Sequence, residues 1–130
     1  MIEINNLTSI SVSKKDLKKI AQKVLKKEKK SLELSIALVG SSEIKKLNKE
    51  YRKKDKVTDV LSFLYNGSGE IIICLERVKK DAKELGTTFK KELARILIHG
   101  ILHLLGEEHE INKWAARKMQ KKEDYYLSKI

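Results

Sequence analysis

The sequence predicts an α+β (α/β-like) fold, in which a mixed four-stranded sheet packs with about five helices. Segments with alternating apolar residues lie between segments whose apolar residues are three and four apart, the periods of strands and helices. The segment from Leu93 to Leu105 is apolar nearly all round, which indicates a central buried helix. A chain of 130 residues is long enough for one core, so we assign residues 1–130 to a single domain.

The N-terminal part predicts a short strand and a lysine-rich helix. Ile2 and Ile4 alternate with polar residues, and Ser13–Asp16 resembles a capping box at the start of a helix. Between Lys14 and Lys30, nine lysines outnumber two acidic residues, a local charge of +7. This helix is therefore a candidate surface for a polyanion. Its apolar stripe consists of Leu17, Ile20, Ala21, Val24 and Leu25.

The middle of the chain predicts three further strands. Apolar residues at every second position in 32–38 predict the second strand. We predict the third and fourth strands at Thr58–Tyr65 and Ile71–Leu75. The turn Asn66–Gly69 predicts an antiparallel hairpin, whereas the helix after the second strand predicts a parallel crossover to the third, so the sheet is mixed. Ser41 or Ser42 is expected to cap that helix, and its predicted inward residues are Ile44, Leu47 and Tyr51.

The C-terminal part predicts three helices. The third is marked by Val78, Ala82 and Leu85 and ends at Gly86, and the fourth begins at about Thr88. The predicted inward residues of the last helix are Ile111, Trp114, Ala115 and Met119.

Composition indicates a basic protein without a disulfide framework or a membrane anchor. Lys and Arg number 29 against 18 Asp and Glu, which gives +11 and suits nucleic acid, although a lysine-rich soluble or thermophilic surface is the alternative. The aromatic content of 5% favours recognition of phosphates and RNA shape over base stacking. One cysteine, the absence of a signal-peptide pattern and the absence of a long apolar stretch predict a cytoplasmic protein with no membrane partner. The oligomeric state is not indicated.

All three histidines lie in one stretch. His99 and His103 are four residues apart and project from the same face of a helix. Gly106 is suited to end that helix, which lets His109 return toward the other two rings. Three imidazoles with a fourth position left open are typical of catalytic zinc, so we predict one Zn²⁺ per chain, or another divalent transition metal.

The same spacing occurs in metzincin proteases, which place a glutamate directly after the first histidine as general base. This chain has Gly100 there, and glycine cannot accept a proton from water. The spacing therefore still predicts a metal site, but the chain lacks the general base that a metzincin protease requires.

Two separated blocks identify a resemblance: Leu47-Asn48, Tyr51-Arg52 and Thr58–Phe63, followed by His99–His109. Together they resemble the YbeY family of bacterial rRNA maturation endoribonucleases over most of the chain from about Leu47 to His109. The chain departs from the family pattern at Val57 and Leu64, where the family has proline, and at Glu108, where it has aspartate.

The resemblance implies a zinc-dependent endoribonuclease specific for single-stranded RNA. It would act on the 16S rRNA precursor in 3′-end maturation and on the small ribosomal subunit in quality control. It implies zinc bound by the three histidines and carries a catalytic role onto Arg52, whose guanidinium suits the charge on phosphate oxygens. The nucleophile would be a metal-activated water or the 2′-hydroxyl of the RNA.

Four further side chains are candidates for contacting the substrate or orienting a ligand histidine: Thr58, Asp59, Ser62 and Glu108. Two alternative functions remain open at this point. One is a non-catalytic ribosome-associated RNA-binding factor with a structural metal, and the other is a metallohydrolase of another class, such as a peptidase.

Overall fold

The computed structural model describes residues 1–106 and 113–130 and forms a sheet with helices on both faces. The strands are β1 (Ile2–Asn6), β2 (Glu33–Val39), β3 (Val60–Tyr65) and β4 (Ser68–Cys74). The helices are α1 (Lys14–Lys27), α2 (Ser41–Arg52), α3 (Leu75–Leu85), α4 (Phe89–Leu104) and α5 (Lys113–Ser128). The predicted α+β fold, with a mixed four-stranded sheet and five helices, is confirmed.

The strand order is β1-β2-β4-β3. The β1–β2 and β2–β4 pairs are parallel, and β3 pairs with β4 in an antiparallel hairpin. The prediction of a parallel crossover from β2 to β3 was therefore wrong. The chain passes over to the far edge after α2 and folds back, so β4 takes the place beside β2 and β3 becomes an edge strand.

The two faces of the sheet carry separate apolar clusters, as expected when helices cover both. One face packs against α1 and α4 and includes Ile36, Leu38, Ile71 and Ile73. The opposite face packs against α2 and includes Val39, Leu61, Ile72 and Cys74, which are joined by Ile44 from the helix. The histidines and the end of α2 consequently lie on different sides of the sheet.

Helix α4 is the buried centre of the larger cluster, as predicted. Most of its residues from Leu93 to Leu104 are buried, because α1, α3, α5 and the sheet all pack against it. The helix begins with Thr88, whose hydroxyl accepts a hydrogen bond from the Lys91 amide at 3.1 Å. Gly106 follows its end with a φ of +94°, a conformation that glycine adopts without a Cβ clash.

Three predicted details were wrong. Helix α2 is preceded by Gly40 rather than capped by a serine side chain. Tyr51 is exposed because it lies in the last turn of α2, and it meets only the edge of the Phe63 ring. Trp114 is exposed because the buried residues of α5 are Met119, Glu123 and Tyr126, and position 114 falls outside that stripe.

Ile111 lies outside the described residues. No described helix is long and apolar enough to cross a membrane.

Candidate metal centre

His99 and His103 lie side by side on α4. Their rings are half-buried, their centroids are 6.0 Å apart, and their planes are inclined by 26°. The predicted i, i+4 pair is therefore in place on one face of a rigid helix. The third predicted ligand, His109, and the candidate Glu108 lie outside the described residues.

Residues 1–106 and 113–130 contain no group of three or more His, Cys, Asp or Glu side chains placed to hold a metal. The described residues thus supply two imidazoles. A complete ligand set requires His109.

A buried carboxylate lies behind the first histidine. Oε1 of Glu123, on α5, is 3.3 Å from Nδ1 of His99, and the Glu123 side chain is only 5% exposed. The same oxygen lies 3.6 Å from a guanidinium nitrogen of Arg95, and it completes no hydrogen bond within the described residues. A carboxylate that accepts a hydrogen bond from Nδ1 would leave Nε2 as the nitrogen able to bind a metal.

Arg95 is already paired with another acid. Its guanidinium donates two hydrogen bonds to Glu92, at 2.9 and 2.7 Å, in a bidentate arrangement. The hydrogen bonding to Glu92 outweighs the effect of burial and raises the pKa of Arg95, and the charges of Glu123 and Asp59 add to this rise. By formal charge, Glu92, Arg95 and Glu123 together carry one net negative charge beside the imidazole. Such a charge in a poorly hydrated place favours a cation nearby.

Ser62 is placed against the histidine helix from the sheet. Its hydroxyl lies 3.5 Å from the carbonyl oxygen of Gly100, which follows His99 directly. Asp59 is half-buried, and its backbone carbonyl accepts a hydrogen bond from the Cys74 amide at 2.9 Å. The Thr58 hydroxyl lies 3.4 Å from the Asp59 carboxylate. These contacts place Ser62 of β3 against α4 next to His99, whereas the contacts of Thr58 and Asp59 are with each other and with Cys74.

Arg52 is not part of this cluster. It is the exposed last residue of α2, which covers the opposite face of the sheet from α4. The route from Arg52 to the histidines therefore passes around the edge strand β3. An extended substrate that follows this route would contact both.

The sequence interpretation missed Glu92, Arg95 and Glu123. Glu92 and Arg95 gave a detectable signal, since they are an acid and a base three apart near the start of an otherwise apolar helix. Glu123 gave none, because it lies in a charged segment and only the packing of α5 on α4 shows that it is buried.

Comparison with known proteins gives the family. A model described as endoribonuclease YbeY matches residues 3–130. The chain belongs to this family. The resemblance drawn from the two sequence blocks is thus confirmed.

Relatives in the family support the assignment. Two proteins named endoribonuclease YbeY, from Thermodesulfovibrio yellowstonii and Thermotoga neapolitana, are 52% and 45% identical over 60 residues, or 46% of this chain. The match spans only 38% and 40% of their respective lengths. The solution structure of TM1509 from Thermotoga maritima is 36% identical, with a TM-score of 0.74, and covers 98% of this chain and 87% of that one. Family membership and fold are therefore shown together.

Proposed function

We propose that this protein is a metal-dependent endoribonuclease that cleaves single-stranded RNA. The observation that carries the proposal is the His99–His103 pair with a buried carboxylate behind it, in a family whose relatives are named endoribonucleases. We further propose that its substrate is the 16S rRNA precursor, which it cleaves during 3′-end maturation. Its partner would be the small ribosomal subunit, on which it acts in ribosome quality control. The cytoplasmic location follows from that substrate.

The metal would be zinc, bound by His99, His103 and His109, although nitrogen ligands also suit other divalent transition metals. The described residues fit such an ion, because two imidazoles lie together and the adjacent buried cluster carries an excess negative charge. Once bound, the ion supplies a Lewis acid that polarises a phosphoryl oxygen and lowers the pKa of a water or a 2′-hydroxyl.

The candidate side chains have separate tasks in this proposal. Glu123 fixes the ring of His99 so that Nε2 points to the metal. Arg52 lies across β3 from the histidines, so RNA that bends around this edge strand would bring a phosphate to its planar, permanently charged guanidinium, which is suited to stabilise the charge that builds on the phosphate oxygens. Ser62 and Asp59, together with Thr58, border the path of the RNA beside α4.

Charge supports a polyanionic substrate. The chain carries +11, and the lysines of α1 lie on its exposed side while the apolar stripe of that helix packs into the core. Lys26 and Lys27 are both exposed at the end of this helix. These lysines would bind phosphates away from the cut, which strengthens binding without reading sequence.

The decisive experiment is cleavage of a labelled single-stranded rRNA fragment by the wild type, His103→Ala and Arg52→Ala. Each protein is purified identically, and its metal content and circular dichroism are measured. The proposal expects both variants to be folded and at least 100-fold slower, an order of magnitude known from the loss of one charge-stabilising group. It also expects only His103→Ala to lose metal.

Equal cleavage by all three proteins would assign the activity to a contaminant. The chain would then be a ribosome-associated RNA-binding factor, and its metal would be structural. In that case removal of a ligand histidine should unfold it.

A further inference from the structure

Three aromatic rings form a row on the side of the sheet opposite the histidines. Phe63 and Tyr65 of β3 lie on the same face, with ring centroids 6.4 Å apart and planes inclined by 23°. Tyr51, from the last turn of α2, meets Phe63 edge-on with centroids 5.5 Å apart. Tyr51 is 58% exposed and Tyr65 is 55% exposed. We call these three side chains the aromatic row.

Positive charge borders the aromatic row. The helix that carries Tyr51 ends at Arg52 and continues into Lys53, Lys54 and Lys56, all of which are exposed. Asn48 holds this segment in place, since its side-chain amide donates to the Lys56 carbonyl at 3.0 Å and its backbone carbonyl accepts from the Lys54 amide at 3.2 Å. Exposed rings therefore lie beside a cationic segment whose backbone is fixed.

The aromatic row and the histidines are separated by one edge strand. In β3, Ser62 faces α4 and the neighbouring Phe63 faces α2, as alternation requires. Among the described strands β3 pairs only with β4, so it forms the edge of the sheet that separates the two faces at this end of the strand order. A flexible strand passing around this edge would meet the rings on one side and the histidines on the other.

We propose that Tyr51, Phe63 and Tyr65 stack with bases of single-stranded RNA next to the phosphate that is cleaved. Proteins that bind single strands combine stacking rings with a basic track for the backbone, and this surface has both. The bases of a duplex are already stacked on one another, so the same surface gives a reason for a preference for single strands. The inference rests on the proposed function, because it names how that site holds its substrate.

The experiment distinguishes the contribution of the RNA bases to binding from that of the phosphates. Anisotropy titrations use a fluorescent single-stranded oligoribonucleotide and an abasic strand of equal length and charge, with His103→Ala in every protein so that the RNA stays intact. Tyr51→Ala and Tyr65→Ala should bind the base-containing strand about 5- to 100-fold more weakly, as stacked bases elsewhere do when the ring is removed. Binding of the abasic strand should not change.

Matched variants make the result specific. Tyr51→Phe and Tyr65→Phe keep the rings and should bind like the parent protein. Tyr125→Ala removes an exposed tyrosine of α5 that also has lysines over its ring, Lys27 at 5.8 Å and Lys129 at 5.4 Å, but lies away from β3. It should leave the discrimination between the two strands unchanged.

Several outcomes would overturn the inference. One is an equal loss of affinity for the base-containing and the abasic strand in the alanine variants, which would show a general effect on charge or fold. Another is no loss at all, while wild-type cleavage still depends on His103, which would refute the stacking surface and leave the nuclease proposal intact. A third is a dimer in sedimentation that dissociates on Tyr65→Ala, which would assign the edge of β3 to a second copy of the chain. Absence of RNA binding by the parent protein would overturn both proposals.

Discussion

Gly100 packs directly against Ile71, so that a Cβ added at Gly100 would lie 3.2 Å from Cγ2 of Ile71 and 3.4 Å from the Ser62 hydroxyl. This contact lets α4 approach the sheet closely at the point between its two histidines. It is also the position at which a metzincin protease carries its general base. The peptidase alternative therefore lacks the catalytic glutamate and also the space for one.

Replacing Gly100 tests this contact. Gly100→Glu should lower the free energy of unfolding by about 3 kcal/mol or more, because it forces a charged side chain against a buried sheet face. Gly100→Ala is the control, since its gain in helix propensity of about 1 kcal/mol opposes a small steric cost. Urea denaturation measures both. Equal stability of the two variants would contradict the close packing.

Replacing Glu123 tests the support of His99. Glu123→Ala should weaken zinc binding about 10- to 100-fold, as loss of a partner behind a ligand histidine typically does. Arg95 retains its bidentate pairing with Glu92, so we expect the fold to persist. Competition with a chelator measures zinc affinity, and nitrogen chemical shifts of His99 in the metal-free protein report which ring nitrogen carries the proton. Asp124→Ala, at the exposed neighbouring position, should change neither property.

Glu28 makes stability depend on pH. Burial alone would raise the pKa of Glu28, but hydrogen bonds from Lys122 and Tyr126 outweigh it and lower the pKa below 4.5. A depressed folded-state pKa stabilises the protein above the unfolded pKa, and this contribution is lost as the pH falls through the folded pKa.

Glu28→Gln should therefore lower the free energy of unfolding by about 1.5–3 kcal/mol at pH 7, the range for hydrogen bonds to a charged group. The difference from wild type should shrink below pH 4.5, where the carboxylate begins to protonate in the unfolded chain. Urea denaturation at several pH values measures this difference. Glu43→Gln, at an exposed position of α2, serves as control, and a difference that is independent of pH would refute the linkage.

Salt dependence tests whether α1 contacts RNA. Two lost phosphate contacts should reduce the slope of log K against log salt by about 1.4, or about 0.7 for each contact to a single strand. We therefore expect this change in the double variant Lys26→Gln/Lys27→Gln. Lys79→Gln/Lys80→Gln removes the same charge from exposed positions of α3 and should leave the slope unchanged. Equal slopes for the two double variants would mean that the charge of α1 acts only through the net charge of the chain.

The sequence predicted the parts of the site that depend on local spacing. A period of four residues places His99 and His103 on one face, and the apolar segment around them predicts the burial of α4; both follow from helical geometry alone. Glu123 could not be found in this way, because its burial depends on how α5 packs on α4. The position of Ser62 against Gly100 likewise depends on β3 joining the sheet beside β4.

The aromatic row shows what the overall composition of a sequence cannot predict. An aromatic content of 5% argued against base stacking because composition averages over the whole chain. Phe63 and Tyr65 share a face of β3 by alternation, and Tyr51 joins them because α2 ends beside this strand. Composition cannot show such a local grouping, so the expectation against base stacking and the stacking proposed above remain to be decided by the binding experiment.

The strand order also has a consequence for the sequence of folding events. The β3–β4 hairpin closes through only two residues, Asn66 and Gly67, whereas both parallel pairs need a helical crossover, so we expect the hairpin to form first. The pair between His99 and Glu123 forms only when α5, which follows every other element, docks on α4. A nascent chain whose α5 is still inside the ribosomal tunnel lacks the carboxylate beside His99. All four strands precede α5 in the chain, so Glu123 reaches His99 only after the whole sheet has been synthesised.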